Sequence, residues 1–476
     1  QGFSQRPGVD YTDTYAPVVK WPTLRAFLAR VAADDLVMEQ ADFETAFLNG
    51  TLTEEVYMRQ PPGAHSGHVG SVCRLRRSIY GLKQSPRAWH ETLKAKLLQT
   101  GWVQAESDPG MFYCHAGDGA VLAMIYVDDC LVAGKTKYEV DRVMQLLASW
   151  FPITREGDPA DFLGMQIERD MQRGTLTIHQ RDLAARIVAA FDLVGVPPRS
   201  LPLSPKPVLV AVEGMGECLQ HDRYPELVGS LQHLANCTRP DLAQAVSTLA
   251  RYSKAPREAH WHAALNVLRY VSGTLSRGIT YCRDAPAYDA FCDANYGGDV
   301  DSRRSTTGYV FMMSGGAVSW QSKLQATVAV STCEAEYQAA GAAIREAVWL
   351  QKLLPELGVD VSGPLTLKGD NQAAIALLYN PMSTTRSKHI DIVHHFGRER
   401  VLRGEVAFEY CASKDNVADF LTKPLPAAGW LPCLVWIALG VVLIGAVHDF
   451  SALASSVRHG AQSIAEITRD KLGNGA

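Results

Sequence analysis

The sequence predicts an α+β / α/β multidomain protein. Three observations carry that prediction: a length of 476 residues, helical patterns interleaved with β-rich runs, and two sharp breaks in composition. A chain of this length exceeds what one hydrophobic core usually holds, and roughly two to four domains are expected. The hydrophobic share of 47% and charged share of 20% are ordinary for folded domains. A net charge of −4 excludes a global basic field, although positive charge confined to one groove would not show in the total.

Residues 1–195 alternate helical stretches with short β-rich runs. "VLAMIYVDDCLVAG" is an apolar run interrupted by two Asp and closed by Gly134, which reads as a strand pair around a tight turn. Residues 196–222 carry Pro197, Pro198, Pro202, Pro205 and Pro207, then Gly214 and Gly216, and read as a linker or long surface loop. Helical patterns follow to about 280. From there the order becomes strand, turn, strand, helix, with a further strand ending at Gly369-Asp370. After Pro424-Leu425-Pro426 the chain turns abruptly apolar, and Leu431 to Val447 is uncharged over 17 residues, the short limit for a membrane span. The expected division is therefore 1–195, 196–280, 281–425 and 426–476.

The ten cysteines contain no CxxC pair, which removes the usual zinc signature and suggests reduced, buried thiols. The chain begins Gln1-Gly2-Phe3, without Met or signal peptide, and reads as a fragment or cleaved product.

Two carboxylate constellations carry the chemistry. Asp128 and Asp129 sit inside an apolar run, where ionised side chains are costly unless cations neutralise them. Successive strand residues face opposite ways, so only a sharp turn lets both serve one site; the bland alternative is a polar hairpin tip. Asp42, in "QADFETAFLNG", would complete a two-cation platform if its strand neighbours the Asp128 strand, and is otherwise a turn residue or helix cap. In the C-terminal half Asp293, Glu336, Asp370 and Asp419 lie in four separate elements. Cutting a phosphodiester with two cations needs about this many carboxylates converging on one site. Any one alone reads as surface charge; the four together are specific.

The blocks "GVDYTDTYAPVV", "QADFETAFLNGTLTEEVYMRQPPG", "SIYGLKQSPRAWH", "YVDD" and "FLGMQI" resemble, in order, those of copia-type reverse transcriptases. The resemblance implies a right-hand polymerase with a split βαβ palm and a thumb or connection. Asp42, Asp128 and Asp129 would bind two Mg²⁺ (or Mn²⁺), Phe47 would be the gate excluding a ribose 2′-OH, and Gln84 would contact the incoming nucleotide. Phe162, Leu163, Gly164 and Met165 would form the primer grip. A core Phe behind the Asp42 strand remains the alternative for Phe47. The family normally carries a basic fingers segment before "GFSQRPGVDY", so an N-terminally truncated, impaired polymerase is expected.

The blocks "DANYGGDVDSRRSTTGYVF", "STCEAEYQA", "GDNQAAIAL", "RSKHIDIVHHFGRERV" and "KDNVADFLTKPL" resemble the RNase H domain of the same elements, a mixed sheet with flanking helices. The implied ligands of two further Mg²⁺ or Mn²⁺ are Asp293, Glu336, Asp370 and Asp419. Arg386, Lys388 and His389 open a basic stretch running to Arg403; phosphate contact and a solvated helix face both stay open, except that His389 belongs to the resemblance. The partners implied are an RNA template, a DNA primer, RNA–DNA hybrid and dNTPs, in a cytoplasmic virus-like particle or the nucleus.

The tail "GWLPCLVWIALGVVLIGAVHDFSALASSVRHGAQSIAEITRDKLG" instead resembles part of the carbon starvation protein family of membrane transporters. It is expected as an apolar helix over 430–447, a candidate membrane contact foreign to the enzyme. The rival readings are a chimera best described by that tail and a catalytically dead remnant that still binds nucleic acid.

Overall fold

The computed structural model describes residues 2–61, 63, 71–116, 119–205, 209–211, 223–380 and 391–425, with the side chains of 116 and 391–395 left out. Its contacts divide the chain into two compact units, residues 1–160 with 348–362, and residues 161–347 with 363–476. This contact division and the motif-based cuts at 195 and 280 run through the chain at different places. Both units mix helices with sheets, as the sequence predicted. Among the described residues no helix is long and apolar enough to cross a membrane; the expected span Leu431–Val447 lies outside them.

The first unit is built on a six-stranded sheet. Its order is Val103–Gln104, Met111–Ala116, Gly119–Tyr126, Asp129–Gly134, Val37–Phe43 and Ile153–Gly157, with antiparallel neighbours throughout. The strand Val37–Phe43 thus inserts between two segments that follow it by more than eighty residues. Alternation along it decides what faces where. Ala41 and Phe43 enter a core with Trp89, Leu93 and Leu97 of the helix Ser85–Gln99, and with Val140, Met144 and Leu147 of Lys137–Trp150. Burying a Phe of this kind contributes about 1.5–3 kcal/mol. Asp42, between them, is left on the opposite face. The helix Lys137–Trp150 opens with a capping box, Thr136 Oγ1 accepting from Glu139 N–H and Glu139 accepting from Thr136 N–H.

The second unit holds two sheets and a helical cluster. An antiparallel sheet orders Gly278–Cys282, Thr175–His179, Met165–Asp170 and Asp161–Phe162. A mixed sheet orders Gly316–Leu324, Thr306–Met313, Asp289–Asn295, Leu365–Gly369 and Val406–Tyr410. Its first three strands are antiparallel, and Leu365–Gly369 runs parallel to both its neighbours. Parallel pairing requires crossovers; the helix Thr332–Glu356 lies in the first and Gln372–Tyr379 and Asp391–Leu402 in the second. Helices Arg181–Ala190, Arg223–Cys237, Ala243–Ala250 and Glu258–Ser272 share a separate apolar core around Leu227, Leu231, Val246 and Leu268. Inside it Arg239 and Asp241 form a buried ion pair at 2.8 Å, with the Tyr270 hydroxyl donating to Asp241. Burial alone would raise the Asp241 carboxyl; the charge of Arg239 and these hydrogen bonds bring it below its ordinary value.

Candidate active sites: two carboxylate clusters

In the first unit the Asp42 strand does neighbour the Asp128 hairpin. Asp42 lies directly opposite Asp129, and Phe43 N–H donates to the Asp128 carbonyl at 2.8 Å. Burial, then the charges of Asp128, Glu156 and Glu44, raise the Asp42 carboxyl above its ordinary value. Tyr126 pairs with Asp129, which leaves Val127 and Asp128 as a two-residue loop. Such loops match the strand twist only with a left-handed first residue, a role suited to Gly. Here a β-branched residue fills it, with Val127 at φ 60°.

The turn is held from the core. Trp89, 2% exposed, donates through Nε1 to the Val127 carbonyl at 2.6 Å, while its ring packs edge-on against Phe43 and Phe151 at 5.1 and 4.9 Å. A second tie joins the segment around Phe47 to the "SIYGLKQ" segment. Ser78 Oγ donates to the Phe47 carbonyl, and Ser78 N–H donates to the Gly50 carbonyl at 2.9 Å. A Cβ at Gly50 would meet the Trp89 backbone nitrogen at 2.8 Å, so only Gly permits this approach.

Phe47 is half-buried, and its ring lies 4.9 Å from that of Tyr80. Tyr80 is more than half exposed; burial, then the charges of Asp128 and Asp42, raise its phenol above its ordinary value. Sequence reasoning missed Tyr80, although it lies inside the quoted block "SIYGLKQSPRAWH". Gln84 is buried with its amide already engaged, accepting from Gln5 Nε2 and donating to the Asp10 carbonyl, both at 2.9 Å.

In the second unit Phe162 and Met165 pair across a two-residue turn in which Leu163 and Gly164 both have positive φ, 54° and 75°. Phe162 and Met165 are buried, so the tip alone is presented.

The second unit also holds the tighter acidic cluster. Asp293 comes from the central strand of the mixed sheet, Asp370 follows the adjacent parallel strand, and Glu336 comes from the second turn of the helix Thr332–Glu356. Ligand atoms of the three lie within 4.8 Å of one another, and among the described residues they are the one such trio. Burial first, then the charge of Asp419, raises Asp293 to about 7, against the opposing hydrogen bond from Thr422 and positive charge of Lys423. Burial, then Asp293 and Asp370, raises Glu336 to about 9, although Ala294 N–H donates to it. Carboxylates that are buried or half-buried, repel one another and offer only hard oxygen donors suit a divalent hard cation.

Asp419 lies outside that trio. It heads the four-residue helix Asp419–Thr422, and its Oδ1 accepts from Lys423 Nζ at 2.7 Å. Thr422 Oγ1 donates to Asp293 Oδ2, and buried Asn416 donates through Nδ2 to the Cys292 carbonyl at 3.0 Å. Gly308, opposite Asp293 in register, admits this helix: a Cβ there would meet Thr422 Cγ2 at 2.6 Å. Arg386, Lys388 and His389 lie outside the described residues.

Residues 1–205 match the family model described as reverse transcriptase (RNA-dependent DNA polymerase), and residues 424–476 match that of carbon starvation protein CstA. The chain is 37% identical, over 90% of its length, to the retrovirus-related Pol polyprotein from transposon TNT 1-94 of Nicotiana tabacum. It is 37% identical over 89% of its length to that from transposon RE2 of Arabidopsis thaliana. It spans only about a third of these relatives, 32% and 29% of their lengths. A transposon Ty5-1 protein of Saccharomyces cerevisiae is 33% identical over 64% of this chain and 99% of that protein. Among solved structures, RNase H1 from Halobacterium salinarum is similar over 28% of this chain and 92% of its own, at 19% identity. The TM-score is 0.20.

Proposed function

The chain belongs to the Pol polyprotein family of copia-type retrotransposons, and from that premise we propose that it carries two phosphoryl-transfer sites, an RNA-directed DNA polymerase and a ribonuclease for RNA–DNA hybrids. In this reading residues 1–195 are fingers and palm with the start of the thumb, 196–280 the connection, 281–425 the ribonuclease and 426–476 a foreign tail. The enzyme works in a cytoplasmic particle or the nucleus.

The observation that carries the proposal is the Asp293–Glu336–Asp370 trio, one buried and two half-buried carboxylates within 4.8 Å in a family of nucleic-acid enzymes. Asp419 is the fourth acid of the same site. Two Mg²⁺ or Mn²⁺ ions, when bound, would activate the nucleophile and neutralise charge on the reacting phosphate. The protein's part is to fix the donors. Thr422 orients Asp293, Ala294 N–H orients Glu336, and the buried strand pair keeps Asp293 and Asp370 side by side. Arg386, Lys388 and His389 are assigned to the phosphate backbone of the hybrid.

In the polymerase, Asp42, Asp128 and Asp129 hold the second pair of cations. The Trp89-anchored turn keeps Asp128 aimed beside Asp42. Phe47 is the sugar gate, with its neighbour Tyr80 completing an aromatic wall over the dNTP. Gln84 meets the nucleotide only if Gln5 releases its amide. Phe162, Leu163, Gly164 and Met165 present the primer grip as a rigid hairpin tip.

The test is hydrolysis of the RNA strand of a hybrid by the full chain with Mg²⁺ or Mn²⁺. Activity that is abolished by chelator and falls at least about 10²-fold in Asp370→Asn supports the ribonuclease, that being the usual effect of losing one preorganised electrostatic contact. Equal rates in wild type and variant reject it.

A further inference from the structure

Adjacent residues of "LTKPL" serve two of the acids: Thr422 donates to Asp293, and Lys423 donates to Asp419. Asp419, so engaged, is the one of the four acids whose ligand atoms stay outside the 4.8 Å trio. Lys423 sits one helical turn after Asp419, and its side chain is 40% exposed against 18% for Asp419. Its flexible stem can therefore carry the ammonium away into water without opening the core. Charge bookkeeping points the same way. Four ionised carboxylates carry −4, Lys423 adds +1, and two divalent cations add +4. The sum is +1 with Lys423 in place and zero with it gone.

We propose that Lys423 is a resident counter-cation of the cluster, holding Asp419 in the cation-free protein and competing with the second divalent cation for it. The inference rests on reading the cluster as a metal centre. In the cation-free protein Lys423 limits carboxylate repulsion; on loading, the first cation enters among Asp293, Glu336 and Asp370, and the second must displace the ammonium from Asp419. Lys423 thereby sets the gap between the two affinities. It is a positioning residue and touches no reacting atom.

Calorimetric titration of the full chain with MnCl₂, paired with melting of the cation-free protein, tests this. In the wild type the second cation should bind at least about tenfold more weakly than the first, a difference of about 1.4 kcal/mol. Lys423→Met should tighten the second site at least about tenfold and lower the cation-free Tm. Lys414→Met, which removes an exposed charge nine residues earlier in the chain, should do neither. Lys423→Arg should keep the second site weak. Where Met disrupts folding, Lys423→Gln retains a donor without the charge and should tighten the second site likewise. A second-site affinity unchanged or weakened in a folded, neutral variant overturns the role of Lys423 and leaves the metal centre standing. A wild type that binds no divalent cation removes the metal centre itself, and the proposal with it.

Discussion

Trp89 donates its indole N–H to the carbonyl of Val127 at 2.6 Å, tying the "SIYGLKQSPRAWH" helix to the left-handed residue of the "YVDD" turn. Asp128 follows Val127 directly, so the aim of that carboxylate depends on a hydrogen bond made in the core.

Trp89→Phe should keep most of the packing against Phe43 and Phe151 but leave the Val127 carbonyl without its buried donor. Stability should fall by about 1–3 kcal/mol, the usual cost of an unmet buried polar group, and primer extension should fall with it. Val127→Gly should relax the backbone strain and be neutral or slightly stabilising, yet also slow extension because the turn loses its fixed shape. Denaturant unfolding alongside extension rates separates the two. Full extension activity in folded Trp89→Phe would show that the indole does not aim Asp128.

Phe47 and Tyr80 are tied together through Ser78 and Gly50, so the gate should behave as a pair. Phe47→Val should admit ribonucleotides, lowering discrimination against them by at least about tenfold, within the range one apolar contact supplies. Tyr80→Ala should weaken dNTP use and loosen the gate even with Phe47 intact. Single-nucleotide incorporation of dNTP and rNTP measures both; equal discrimination in wild type and Phe47→Val rejects the gate.

Asp293 near 7 and Glu336 near 9 both titrate above the ordinary carboxylate range. Between about pH 4 and 9 these two carboxyls then hold more protons in the folded than in the unfolded chain, and their contribution to cation-free stability should fall as pH rises through that window. Protons and cations compete for the same oxygens, so Mn²⁺ affinity should rise from pH 6 to 9 with net proton release. Calorimetry at one pH in buffers of different ionisation enthalpy reads the release directly. Affinity flat across that range would mean that the cluster is not the binding site.

The three acids of the Asp293–Glu336–Asp370 trio were legible in the sequence only as a set, as acids drawn from separate elements inside blocks that carry the resemblance, since any one alone reads as surface charge. Asp42 was legible as an acid at the edge of a β-like run, and its pairing with the Asp128 hairpin as a condition that the sheet order meets. Trp89, Asn416, Thr422 and Lys423 were not singled out, because their roles rest on hydrogen bonds across tertiary contacts that no period or motif spacing encodes. Tyr80 was missed for the same reason: its ring partner is Phe47, thirty-three residues earlier. The cut at 160/161 was hidden because the strand Thr175–His179 pairs with Gly278–Cys282, a hundred residues on.

Phe420, Leu421 and Leu425 are buried, so the core of the second unit reaches the point at which the match to the carbon starvation family begins, residue 424. Deleting residues 427–476 should leave hybrid cleavage and the melting temperature unchanged while raising solubility, because it removes the uncharged sequence Leu431–Val447, and each Å² of apolar surface in water costs about 25 cal/mol. Loss of folding or of cleavage on truncation would make the tail part of the enzyme.

The most direct test is a crossover with the full chain, Asp42→Asn against Asp370→Asn, scored for primer extension and for hybrid cleavage in the same preparations. Two independent sites require that Asp42→Asn abolish extension and spare cleavage, and that Asp370→Asn do the reverse, each by at least about 10²-fold. Both activities falling together in either folded variant, or neither falling, would contradict two separate carboxylate centres.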